Sequence, residues 1–301
     1  MTDRPTVVCI GNLTLDEAVA PGGERVGSVG GDALFAALGA RLAGADATIL
    51  APLGNDATPE LLAALDAAGT DPAILPRRDL PTVRNEVRYD AAGGRAWDLV
   101  HGEEHFEAMS VHPADVPAGA LAASGVLMSA MALHAQLALA AWMRANTAAT
   151  LYFDPQEDYI AGNVAALRDA VRTCDVFLPS QIEACALAGT ADPYRAAATF
   201  LDLGPQVVVV KLAAAGALVA TRRQHRAVLV PTDVVAPVDA TGAGDAFCGA
   251  FTAEHLRSGD ALAAARTGAA VARIAVSAAG VGGLLAAVQN SPDGRLPGLS
   301  R

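Results

Sequence analysis

Short, continuously apolar runs alternate along the chain with longer Ala/Leu-rich stretches. The runs fall at Thr6 to Ile10, Ala47 to Leu53, Val126 to Ala130, Thr150 to Asp154, Asp175 to Leu178 and Val207 to Leu212. Their length and apolar character read as buried strands. The stretches between them include Asp32 to Ala43, Pro59 to Ala68, Ala161 to Thr173 and Pro193 to Leu203, all of helical length. Unbroken apolar strands alternating with helices predict an α/β fold with a mostly parallel sheet covered on both faces. Such a sheet binds ligands beyond the carboxyl ends of its strands.

Two stretches break the rhythm. Gly11 to Val29 is glycine-rich and short of helix signal, and Pro76 to Asp98 alternates polar and apolar positions around a turn at Ala91 to Gly94. A half-polar antiparallel patch set into an α/β chain predicts a small β-sheet lid, the alternative being a connecting hairpin. Residues 1–10, 30–75 and 105–301 are assigned to the core, and 11–29 and 76–104 to the lid. Free edges on a lid sheet would gain from pairing across a homodimer. Gln289 to Arg301, with two prolines and two glycines, reads as a loose tail.

Charge narrows the partners. Against 32 acidic residues stand 21 basic ones, a net charge of −11, which repels nucleic acid and anionic lipid. Val116 to Met143 carries no charge and is long enough to span a bilayer, but it is alanine-rich and interrupted by Pro117, Gly119, Gly125, His134 and Gln136. It reads better as a helix end, a buried strand and a helix from about His134 to Asn146. Met1 to Pro5 lacks the features of a signal peptide, so a cytoplasmic enzyme is the expectation. Cys9, Cys174, Cys185 and Cys248 have no paired spacing and read as buried thiols.

The chemistry concentrates near the C-terminus. After a strand at Val228 to Val230 and a bend at Pro237 comes Asp239-Ala240-Thr241-Gly242-Ala243-Gly244-Asp245, running into a helix from Ala246 to Leu256. A glycine-rich turn entering a helix brings unpaired N–H groups to one point and forms an anion hole reinforced by the helix dipole. A carboxylate there would repel a merely bound phosphate. Asp245 makes sense as a base that takes a proton from an attacking hydroxyl while neighbouring amides stabilise a transferring phosphoryl group. Two other readings stand beside this one: a helix-capping turn with Asp245 serving the dipole, and a fragment of a dinucleotide-binding turn. A Walker A loop is excluded, because the single lysine, Lys211, follows an apolar strand and no glycine–lysine pair exists.

With those residues in view, Asp239 to Phe251 resembles the second signature of the ribokinase-like (phosphofructokinase B type) carbohydrate kinases. Gly11 to Asp16, Gly30-Gly31-Asp32 and Ala51 to Asp56 are similar to the family's earlier motifs, and the likeness runs over roughly residues 6 to 285. It implies a Rossmann-like core with a β lid, ATP as donor, Mg²⁺, and a monovalent cation such as K⁺ near the last loop. It implies that Asp245 is the base and that Gly242, Ala243 and Gly244 supply amides. Asp16, Gly30, Gly31 and Asp32 would face a sugar, sugar acid or nucleoside; Ser180, Glu183, Lys211 and Gly216 would serve the nucleotide; Asp239 and Thr241 would help hold the monovalent ion. The chain departs from the family pattern at Phe35, Ser180 and Ala269, where asparagine is usual, and at Ala213, where glycine is. These departures motivate the alternative of a non-catalytic sugar- or nucleotide-binding protein.

Two further signals carry less. His101-Gly102-Glu103-Glu104-His105 lacks metalloprotease spacing and reads as a charged loop. Arg77, Arg78, Arg84, Arg88 and Arg95 could grip an anionic substrate or simply pair with lid carboxylates.

Overall fold

The computed structural model describes residues 4–89, 95–291 and 296. The turn expected at Ala91 to Gly94 and most of the expected C-terminal tail lie outside the described residues. In chain order the elements are β1 (Thr6–Ile10), β2 (Thr14–Val19), β3 (Arg25–Gly30), α1 (Asp32–Leu42), β4 (Asp46–Leu50), α2 (Pro59–Ala67), β5 (Val83–Tyr89) and β6 (Arg95–Leu99). Then follow α3 (Gly102–Ala108), β7 (Gly125–Met128), α4 (Leu133–Asn146), β8 (Thr150–Phe153), α5 (Val164–Val171), β9 (Val176–Phe177), α6 (Gln181–Ala188) and α7 (Pro193–Leu203). The chain continues through β10 (Val207–Lys211), β11 (Ala217–Thr221), β12 (Gln224–Val230), α8 (Ala243–Ser258), α9 (Ala261–Ala275) and α10 (Gly282–Gln289).

Eight strands form the main sheet in the order β12-β11-β10-β9-β8-β7-β1-β4. From β4 to β10 every pairing is parallel; β11 and β12 close the far end antiparallel. Successive side chains leave a strand on opposite faces, and both faces here are apolar. Val7, Cys9, Leu127, Tyr152 and Val209 pack beneath α1, α8 and α9, whereas Val8, Ile10, Val126, Phe153 and Val210 pack against α4, α5 and α7. That two-sided burial is why these strands are continuous apolar runs instead of alternating ones.

A second sheet, β3-β2-β5-β6, is built from the two stretches that broke the rhythm. β2 pairs antiparallel with β3 and parallel with β5, and β6 pairs antiparallel with β5.

Several boundaries differ from the sequence reading. The run from Ala47 leaves the sheet after Leu50, ahead of Pro52, which has no N–H for the ladder. The helix expected from Ala161 starts only at Val164. The stretch from His101 is a helix rather than a loop: Gly102 stands at its first position, where its low propensity costs little, Glu103 and Glu104 favour the first-turn dipole, and Phe106 is buried. Among the described residues no helix is long and apolar enough to cross a membrane; Val116 to Met143 divides into a 3-10 turn, β7 and most of α4.

Candidate active site

The loop between β12 and α8 is tied down by one carboxylate. Asp239 Oδ1 accepts the Thr241 N–H at 2.9 Å and Oδ2 accepts the Gly280 N–H at 3.0 Å, joining this loop to the connection between α9 and α10. The Val238 N–H reinforces the join at 2.8 Å from the Val276 carbonyl. Asp239 and Thr241 are thus brought together, and each Asp239 oxygen accepts a hydrogen bond that positions the turn. Gly242 caps α8 with φ 72°, a left-handed conformation, and the Phe35 ring lies where a Cβ on Gly242 would have to stand. Phe35 therefore packs flat beneath the turn, a contact that only a residue without a side chain at 242 permits.

Beyond Gly242 the first-turn N–H groups of α8 precede the first intrahelical carbonyl. Asp245 sits among them, and α1 delivers Asp32 to the same neighbourhood. Asn12 Nδ2 donates to Asp32 Oδ2 at 3.2 Å and to the Ala130 carbonyl at 3.0 Å, holding α1 against the end of β7. Burial, then the charges of Asp154 and Asp16, push the Asp32 carboxyl up to about 7 against the Asn12 hydrogen bond. Burial also drives Asp245 well above the usual carboxylate range, with Asp32 and Asp154 adding to it and Lys211 opposing. A carboxylate raised by burial and by neighbouring carboxylates is a recurring arrangement for proton transfer.

Asp16, on β2, accepts the Thr14 hydroxyl at Oδ2 and the Asn85 Nδ2–H at Oδ1, both at 2.8 Å, so its orientation is fixed. Gly30 lies against it: a Cβ there would stand 2.8 Å from Asp16 Oδ2. Asp16 and Asn85 line a cleft of about 880 Å³ between the small sheet and α10, with Leu15, Val29, Val281 and Leu285 as apolar wall. Asp32 is an electrostatic neighbour of Asp16, but neither Asp32 nor Asp245 lines the cleft.

On the other flank, Ser180 and Glu183 form a reciprocal capping box at the start of α6: Glu183 Oε2 accepts the Ser180 N–H at 2.6 Å and Ser180 Oγ accepts the Glu183 N–H at 3.2 Å. Burial, then the charge of Asp154, push Glu183 up to about 7. Ser180 also bridges to Lys211 at the end of β10. Gly216 closes the turn after β10, where its carbonyl accepts the Leu212 N–H at 2.8 Å. Ala213 in that turn keeps a left-handed backbone, φ 49°, so the glycine-like conformation survives without glycine.

The structure thus gathers the expected residues into three adjoining groups: Asp16 and Gly30 at the cleft, Asp32 with Gly242 to Asp245 at the turn, and Ser180, Glu183, Lys211 and Gly216 beyond it. Sequence reading does not single out Asn12, Asn85 or Cys248 as site residues, and marks Asp154 only as the end of a strand. Asn12 stands within a quoted motif and Asp154 ends a strand on the ligand side of the sheet. For Asn85 and Cys248 there was no signal to find.

Three of the five arginines expected on the lid are engaged. Arg84 pairs with Asp56 at 2.8 Å, Arg78 with Asp115 at 2.7 Å, and Arg88 with Asp98 at 2.5 Å and with Glu86. Arg25, on the cleft wall, pairs with Glu86 at 2.9 Å and with Glu17. Arg77 is exposed, and the Arg95 side chain lies outside the described residues.

A Rossmann-like sheet with a small β appendage, a glycine turn entering a helix, and a buried carboxylate in that turn describe a small-molecule phosphotransferase of the ribokinase fold. Comparison with known sequences places the chain within it: residues 6–287 match the pfkB family carbohydrate kinases, and the chain belongs to that family. The cytidine kinase of Thermococcus kodakarensis is 29% identical over 268 residues, covering 83% of this chain and 88% of that one. Among solved structures, the Methanocaldococcus jannaschii nucleoside kinase superposes with a TM-score of 0.77 at 18% identity, covering 92% of this chain and 93% of that one. The Vibrio cholerae fructokinase bound to fructose, ADP and calcium gives 0.75 at 22% identity, covering 94% and 96%. At those identities the structures speak for the fold.

Proposed function

We propose that the protein transfers the γ-phosphoryl group of ATP to a hydroxyl of an uncharged sugar or nucleoside, with Asp245 as general base. The observation that carries this reading is the coincidence, in the first turn of α8, of backbone N–H groups that have no intrahelical acceptor with a carboxylate whose proton affinity is raised by burial. Amides of Gly242, Ala243 and Gly244 face the transferring phosphoryl group while Asp245 accepts the hydroxyl proton, so positioning and charge stabilisation supply the catalysis. Asp16, Gly30, Gly31 and Asp32 hold the acceptor, and Ser180, Glu183, Lys211 and Gly216 attend the nucleotide. Magnesium suits the donor chemistry: Glu183 offers a buried hard oxygen, and an ion carried largely on phosphate and water needs no protein cage, none being present among the described residues. Bound there with Glu183 assisting, it would neutralise charge on the phosphates.

The acceptor is uncharged because the cleft's cations are already satisfied. Arg25 and Arg84 both line it, and each is held by carboxylates of its own neighbourhood. A sugar acid or sugar phosphate would have to compete with those carboxylates for the guanidinium charge. The relative named as a cytidine kinase takes its name from a neutral acceptor, in keeping with this. An ATP-dependent panel of sugars, nucleosides and sugar acids, read by detection of the phosphorylated ester, tests the proposal. Turnover is expected with one or more neutral acceptors and is expected to be much slower with sugar acids; binding without product across the panel would instead support a non-catalytic binding protein.

Asp16→Asn isolates the acceptor side. Losing a hydrogen bond to a charged group is worth about 1.5–3 kcal/mol, so the KM for the acceptor should rise by roughly 10- to 100-fold while the KM for ATP stays put. Initial rates with each substrate varied in turn check this; equal changes in both KM values would place Asp16 outside the acceptor site.

A further inference from the structure

The deepest ion pair near the turn is not accounted for by the reaction as described. Lys211 is the only lysine in 301 residues. Its ammonium stands 2.5 Å from Asp154 Oδ2 and 3.5 Å from Cys248 Sγ, and the Cys248 thiol donates to the same Asp154 oxygen at 3.2 Å. The side chains of Lys211 and Asp154 are only 15% and 7% exposed. Asp154 is itself locked in place: its N–H donates to the Met128 carbonyl at 2.9 Å, and its own carbonyl accepts from the buried Gln136 amide at 2.9 Å. Its second carboxylate oxygen, Oδ1, is buried without a partner. The ammonium lies beside the anion-binding turn, 3.7 Å from the point where a Cβ on Gly244 would stand.

A buried ion pair adds little to stability over apolar packing of the same volume. Its location therefore calls for a functional account. Resting on the kinase reading above, we propose that Asp154 is a positioning residue that fixes Lys211 as the cation for the nucleotide's phosphates and keeps it beside Gly244. Two consequences follow from the geometry. Burial alone would push the lysine toward the neutral amine, and the Asp154 carboxylate, with Cys248 and Glu183 behind it, more than offsets this, so the cation is present before any phosphate arrives. Asp154 also engages the ammonium that would otherwise pair with Asp245 and weaken it as a base.

The charged and titratable groups facing Lys211 are Asp154 at the end of β8, Cys248 and Asp245 on α8, and Glu183 on α6. In Asp154→Asn the strongest of the groups favouring the charged lysine is gone, while burial still opposes it. The ammonium is then lost as pH rises through the lowered pKa.

Isothermal titration with ATP from pH 7 to 10 reads this without needing turnover. The wild type should bind with nearly constant affinity. In Asp154→Asn, affinity should fall by about tenfold per pH unit above the lowered lysine pKa. Asp154→Asn/Lys211→Arg should be flat again, because a guanidinium stays charged throughout. A uniform loss across pH in Asp154→Asn, or a slope that persists in the arginine double variant, overturns the proposal while leaving the kinase reading intact. Absence of ATP binding by the wild type overturns both. Should Asp154→Asn fold poorly, Lys211→Met and Asp154→Asn/Lys211→Met provide the second test. With no cation to position, Asp154→Asn should cause no further loss of ATP affinity in the Lys211→Met background; a further loss of about tenfold overturns the proposal.

Discussion

Asp245→Asn is expected to lower kcat by about 10²- to 10⁴-fold, the usual worth of a positioned general base, and at the same time to raise the melting temperature. The two effects share one cause. Burial is the largest influence on Asp245, and the charges of Asp32 and Asp154 act in the same direction, so the folded protein binds the proton more tightly than an unfolded chain does. A carboxylate raised in this way contributes stability that is fully present below its unfolded pKa and is lost as pH rises through the folded one. Above the unfolded pKa that contribution is progressively lost, and an amide of the same shape does not lose it. The gain in Tm should vanish in acid, where the wild-type carboxylate is protonated in both states. Catalysis shows the mirror image: the base must be ionised, so wild-type kcat/KM should fall as pH drops through the raised pKa. Initial rates and thermal melts across pH check all of this together. Retained turnover in Asp245→Asn would remove Asp245 as the base; lost turnover with a lower Tm would point to misfolding.

How much of this could be read from the sequence depended on whether the determining contacts were local. The parallel strands were legible because burial on both faces leaves an uninterrupted apolar run, as in Val207 to Val210. The turn at Gly242 and the helix behind it were legible because both signals lie within a few residues. α3 was missed because Gly102 and four charged or imidazole neighbours mask the burial of a single residue, Phe106. The role of Asp154 was invisible for a different reason: its partners Lys211 and Cys248 lie 57 and 94 positions away, and only the sheet order brings them together. The lid arginines were visible as charges, but their engagement was not, since Arg84 finds Asp56 and Arg78 finds Asp115 across intervening elements. In sequence Phe35 is only a departure from the family pattern; in the structure it is the floor beneath Gly242.

The close packing of α1 on α8 gives the second large expectation. A Cβ on Gly249 would overlap the Ala36 carbonyl, and reciprocally a Cβ on Gly39 would overlap the carbonyl of Ala246. These neighbours are backbone atoms inside helices, which cannot rotate aside. At an exposed helical position, Gly→Ala stabilises by about 1 kcal/mol through propensity. At Gly249 the helices must separate, and overpacking of this kind costs about 3 kcal/mol, a net fall in Tm of several degrees for a chain of this size. Gly119→Ala, whose Cβ meets nothing within 4 Å, is the control and should leave Tm nearly unchanged. The cost should also reach the chemistry, because α1 begins at Asp32 and α8 carries Asp245 in its first turn. Moving one helix off the other displaces the two carboxylates relative to each other, so Gly249→Ala should lower kcat at temperatures where the variant is still fully folded. A Gly249→Ala protein with wild-type Tm and wild-type kcat would show that the helices are not in contact there, and that the site's geometry does not depend on them.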